Sequence, residues 1–136
     1  MKIYLLDASV MLISLLEKDT KRAGKAKEIF RGSEKGHFKL CVLPLTIFEV
    51  ANGLRFSLKD QTLAEQILGK FQQLPLEVIP LTTSAVTEAL RLSYSLKATV
   101  YDASYHVAAK MLEATFLTGD SQYFAAAKSL GNIELL

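Results

Sequence analysis

The sequence predicts an α/β fold, a three-layer arrangement with a central, mostly parallel sheet of about five strands flanked by helices. Two observations carry that reading. Short continuous apolar runs recur along the 136 residues, and longer stretches of helical periodicity fill the gaps between them. A continuous apolar run suits a strand covered on both faces, as parallel strands are. Alternating such runs with helical segments builds sheets sandwiched by helices.

Ile3-Tyr4-Leu5-Leu6 is the first run and stops at Asp7. Residues 38–42 form the second, closed by Pro44, and 76–79 the third, closed by Pro80. Thr115-Phe116-Leu117-Thr118 is the fourth, closed by Gly119-Asp120, and 133–136 gives a possible fifth. Helical patterns cover 9–17 and 21–34, with a break near Asp19-Thr20. In the second of them Ala23, Ala26, Ile29 and Phe30 make an apolar stripe. Further helices are predicted over 45–57, 61–73, 83–97 and 102–112, with Thr82 or Thr83 as an N-cap for 83–97. A turn or short helix at 121–130 ends at Gly131, a residue suited to a C-terminal stop. No repeat, low-complexity tract or linker divides the chain, so residues 1–136 read as one domain.

Composition excludes several classes. Half the residues are hydrophobic and the net charge is +2, which does not suit a disordered chain. A single cysteine, Cys41, forms no intrachain disulfide and no cysteine-based zinc site, and it reads as an inert core thiol. No apolar run reaches ~18 residues, so no membrane span is expected. The apolar start is interrupted by Asp7, unlike a signal peptide, and a cytoplasmic location is the expectation. Residues 18–39 hold eight basic side chains against three acidic ones, while the rest holds eight against eleven. That local excess suits either a solvated helix face or contacts to phosphate.

Ligands of open α/β sheets bind beyond the carboxyl ends of the strands. Asp7 ends the first strand, and Asp120 lies two residues past the fourth. Glu49 interrupts the apolar segment after the second strand, and Asp102 opens the helix before the fourth. Each has a structural alternative: Asp102 as an N-cap, Asp120 as a turn residue, Glu49 as an exposed helix position. Asp7 is harder to explain that way, because a carboxylate at the end of an apolar strand must meet a donor, a cation or water. Gathered around one point, the four would repel one another, and a divalent cation resolves the conflict. Oxygen ligands without a histidine or cysteine set favour Mg²⁺ or Mn²⁺. Such an ion activates water and stabilises in-line displacement at phosphorus, which points to phosphodiester hydrolysis. Ser9 and Thr118 stand two residues from Asp7 and Asp120, placed to orient carboxylates or water, with an N-cap role open for Ser9. His106 reads as a satisfied, partly buried histidine, and His37 carries no signal. Nucleotide-binding glycine motifs are absent.

At these residues the sequence resembles the PIN-domain ribonucleases, and within them the VapC-type toxins of bacterial and archaeal toxin–antitoxin pairs. The carriers are Leu6-Asp7-Ala8-Ser9, the segment Thr46 to Leu54 around Glu49, Tyr101-Asp102-Ala103-Ser104-Tyr105, and Leu117-Thr118-Gly119-Asp120 with the aromatics that follow. The resemblance covers essentially the whole chain. It implies that Asp7, Glu49, Asp102 and Asp120 are catalytic and bind Mg²⁺ or Mn²⁺, directly or through water. It also implies endonucleolytic cleavage of RNA, a homodimer, and a small antitoxin protein as inhibitor. The family's further acid after the fourth is not evident, since Ser121 and Gln122 follow Asp120.

In this reading the basic residues of 18–39, with Arg55, Lys59 or Arg91, hold the RNA backbone. The alternative is a catalytically silent PIN-fold module that binds RNA or a protein partner, a use suited to the mean hydropathy of +0.22. A phosphoacceptor receiver domain needs an acidic pair at the first strand and a late lysine. Asp7-Ala8 and Gly119-Asp120 do not match it.

Overall fold

The computed structural model describes residues 1–136. Its elements follow in chain order as β1 Lys2–Leu6, α1 Ala8–Leu16, α2 Lys21–Glu34, β2 Phe38–Val42, α3 Thr46–Ser57 and α4 Gln61–Gln72. Then come β3 Glu77–Val78, α5 Thr83–Leu96, α6 Val100–Met111, β4 Thr115–Thr118, α7 Ser121–Ala127 and β5 Ile133–Leu135. The five strands lie in the order β3-β2-β1-β4-β5, and every neighbouring pair is parallel. The expected sheet is therefore parallel throughout.

Successive strand side chains point to opposite faces, and two cores result. Tyr4, Leu6, Leu40, Val42 and Leu117 point to the side covered by α1 to α4, where Met11, Val50, Leu54 and Phe71 meet them. Leu5, Cys41 and Phe116 point to the other side, where Tyr105, Ala108 and Ala109 of α6 and Tyr123 and Ala127 of α7 close over them. Helix α5 packs on α6. Small residues let the layers approach closely. The Leu12 side chain of α1 lies where a Cβ at Gly53 of α3 would fall, so any larger residue there must push that side chain aside.

The edge strands depart from the fully covered pattern. Strand β3 is two residues long, shorter than the predicted 76–79, and both its residues are exposed. An edge has one neighbour only, and Pro80 soon ends the run. Helix α6 starts at Val100, two residues before the predicted 102. Its N-cap is Thr99, whose hydroxyl accepts from the Asp102 amide, so Asp102 sits inside the first turn and is not the cap. No helix is long and apolar enough to cross a membrane.

Candidate functional site

The chain builds β1, β2 and β3 toward one edge, then crosses back to place β4 on the other side of β1. The carboxyl ends of β1 and β4 thus flank the point where strand order reverses, where such sheets open a crevice. Asp7 follows β1 and Asp120 follows β4.

Asp7 is only 5% exposed and holds its backbone extended as the N-cap of α1. One carboxylate oxygen accepts from the Ser9 hydroxyl at 2.5 Å and from the Val10 amide at 3.1 Å. The other accepts from the Thr118 hydroxyl at 2.6 Å. Ser9 is therefore not the cap. Its hydroxyl donates to Asp7 and accepts from the Gly119 amide at 2.7 Å, while Thr118 accepts from the Asp120 amide. Two hydroxyls tie the turn after β1 to the turn after β4. Asp120 in turn caps α7, its Oδ1 accepting from the amides of Gln122 and Tyr123.

Glu49 lies in the first turn of α3 and accepts from the Tyr105 hydroxyl at 2.7 Å. Asp102 stands in the first turn of α6, where the helix dipole favours a negative charge. Asp102, Asp120 and Thr99 line one open groove of about 430 Å³, together with Lys97 and Gln122. Lys97 ends α5 in the left-handed conformation at φ 54°.

The charges act on one another. Burial pushes the Asp7 carboxyl up to about 6, against the pull of its hydrogen bonds, and the negative charge of Asp102 adds to the rise. Burial also raises Glu49, with Asp102 again contributing, and raises Asp102, with Asp120 contributing. Asp102 is thus the carboxylate whose charge acts on Asp7 and Glu49 and is itself acted on by Asp120. No three acidic, histidine or cysteine side chains stand close enough together to grip one ion directly. That spacing still suits Mg²⁺, which keeps several waters and commonly takes one or two carboxylates. The donor set is all oxygen, and its mutual repulsion is what a hard cation relieves. The residues fit such an ion, with some of them reaching it through water.

A sequence model of the PIN domain matches residues 4–129. The chain belongs to the PIN-domain family. Proteins of this family are generally nucleases. Comparison with curated protein sequences finds no significant match. Among solved structures, PAE2754 from Pyrobaculum aerophilum is similar at 26% identity and a TM-score of 0.69, over 92% of this chain and 79% of that one. VapBC2 from Rickettsia felis, solved with a DNA fragment from its promoter, is similar at 15% identity and a TM-score of 0.69, over 98% and 97% of the two chains. FitAcB from Neisseria gonorrhoeae is similar at 16% identity and a TM-score of 0.67, over 98% and 96%.

On this PIN fold the other singled-out residues find structural places. His106 is fully buried, with one ring nitrogen against the Tyr123 hydroxyl and the other 2.7 Å from the Gly131 carbonyl. Burial lowers its pKa, which suits a neutral core histidine. Cys41 is buried in the second core, and burial raises its thiol. The cations expected to hold RNA do not line the groove of Asp102 and Asp120. Arg31 and Lys35 gather beside Tyr4 and Phe38 near the amino ends of β1 and β2, about one strand length or roughly 15 Å from Asp7. Arg22 pairs with Glu17, and Arg91 with Glu88. Arg55 and Lys59 line a separate groove between α3 and α4. The sequence alone assigns no role to Lys97, Thr46 or Tyr105. A lysine at a helix end and a hydroxyl in an apolar helix carry no signal until the fold brings them beside an acid.

Proposed function

We propose that the chain is a metal-dependent endoribonuclease and the VapC-type toxin of a toxin–antitoxin pair. The observation that carries the reading is Asp7, a buried carboxylate at the switch point, fixed by Ser9 and Thr118 and repelled by Asp102. A protein bears the cost of such a group where the group has work to do. When bound, Mg²⁺ or Mn²⁺ supplies a Lewis acid that activates water and neutralises charge at phosphorus. Asp102 and Asp120, which share one groove, would hold it together with Asp7, some of these contacts passing through water, and Glu49 would orient a water. Ser9 and Thr118 keep the Asp7 carboxylate from rotating, since each of its oxygens has its own hydroxyl donor. Lys97, in the same groove, offers positive charge to the substrate phosphate.

RNA as substrate rests on the family resemblance. The antitoxin partner is supported by the likeness to VapBC2 and to a toxin–antitoxin complex from Klebsiella pneumoniae. Action in the cytoplasm follows from the same reading. A homodimer suits the large apolar side chains left in solvent, among them Phe48 and Phe56 on α3 and Tyr94 on α5. Sedimentation at micromolar concentration then gives twice the 15.0 kDa chain mass, and a monomer there rejects the dimer.

The test is incubation with structured RNAs. Internal cleavage appears with Mg²⁺ or Mn²⁺ and stops with EDTA. Cleavage that persists in EDTA contradicts the metal role. RNA binding without cleavage under any divalent ion favours the silent module, whose support is that no three acids converge on one ion.

A further inference from the structure

Glu49 is held differently from the other acids. Its Oε1 accepts from the Tyr105 hydroxyl at 2.7 Å, and that same hydroxyl lies 2.7 Å from Thr46 Oγ1, which accepts from the Leu43 amide at 3.0 Å. Proton counting fixes the direction of the chain. Tyr105 has one proton, and a carboxylate can only accept, so the phenol donates to Glu49. Thr46 must then donate to Tyr105, and its oxygen receives the Leu43 amide. Each donor has one acceptor, and nothing in the chain is left over.

The chain also joins the two faces of the sheet, passing beyond the carboxyl end of β2. Leu43 follows β2, Thr46 and Glu49 belong to α3 on one face, and Tyr105 belongs to α6 on the other. Tyr105 is fully buried, its ring stacked on Phe116 at 5.5 Å and 14°. The phenol therefore cannot swing, and Glu49 inherits that rigidity while its Oε2 takes no hydrogen bond from the protein.

We propose that Tyr105 and Thr46 are positioning residues that fix Glu49 Oε1 so that Oε2 faces the divalent cation or its water. The proposal rests on the metal-dependent reading above. Outer contacts of this kind typically change metal affinity by about 10–100-fold.

The experiment is titration of Mn²⁺ alone, without RNA, followed by the electron paramagnetic resonance of free Mn²⁺. The proteins are the parent, Tyr105→Phe, Glu49→Ala, the Tyr105→Phe/Glu49→Ala double variant, Thr46→Ser and Thr46→Val. Tyr105→Phe is expected to weaken binding about tenfold or more, Thr46→Val to weaken it, and Thr46→Ser to bind as the parent does. In the Glu49→Ala background Tyr105→Phe is expected to have no further effect, because its action passes through Glu49. Parent-like affinity in Tyr105→Phe overturns the proposal, and so does an equal fold-loss in both backgrounds. If Tyr105→Phe does not fold, the Thr46 pair decides, and equal affinities of Thr46→Ser and Thr46→Val overturn it. A parent that binds no Mn²⁺ overturns the metal reading itself and this proposal with it.

Discussion

Asp7 shows what the site costs at the scale of a residue. Its carboxyl stands at about 6 in the fold against an ordinary 3.8, chiefly because burial penalises the charge. The folded state therefore favours the protonated form. The stability this confers is present below about pH 4 and is lost as the pH rises through about 6. Without metal, Asp7→Asn is expected to be more stable than the parent at pH 7.5 by about 1–3 kcal/mol, and nearly equal to it at pH 4. Urea unfolding in EDTA at the two pH values measures this, and a variant no more stable at pH 7.5 contradicts it. Asp7 was legible in the sequence because an acid closing an apolar strand has few bland roles. Tyr105 was not, because its partners Glu49 and Thr46 lie 56 and 59 positions away. Such a bond exists only once α3 and α6 meet above the sheet edge.

Elements carry the site by their ends. The positions of β1, β4 and α3 were readable from apolar runs and periodicity, and with them the places of Asp7, Asp120 and Glu49. What periodicity could not show is which residue caps. Thr99 rather than Asp102 starts α6, and Asp7 rather than Ser9 starts α1, because in each helix the residue before the apolar stripe turns back to accept an amide. Nor could a local charge count show direction. The basic segment runs along the side of the sheet, so Arg31 and Lys35 end near its amino edge. The α1–α3 contact offers a test at this scale. An alanine at Gly53 gains about 1 kcal/mol of helix propensity but must displace Leu12, at a cost of about 1–3 kcal/mol. Gly53→Ala is expected to destabilise the parent and to stabilise a Leu12→Ala protein. Thermal unfolding of the four proteins of that cycle checks it, and equal effects in both backgrounds contradict the contact.

For the whole molecule, the low net charge conceals a division. The strand order reverses beside β1, and the topology brings acids from four distant stretches of chain to the carboxyl end of the sheet. Parallel pairing made that convergence foreseeable, since every strand then ends on the same side. The actual order of strands, and so the crevice between β1 and β4, required the structure. Asp102 is the acid coupled by charge to the other three, so the central claim is tested most directly there. The measurement is the RNA cleavage rate of Asp102→Asn against the parent at saturating Mn²⁺. The predicted result is a fall of at least about 100-fold with an undiminished unfolding temperature. Cleavage within twofold of the parent would contradict a cation held by these acids.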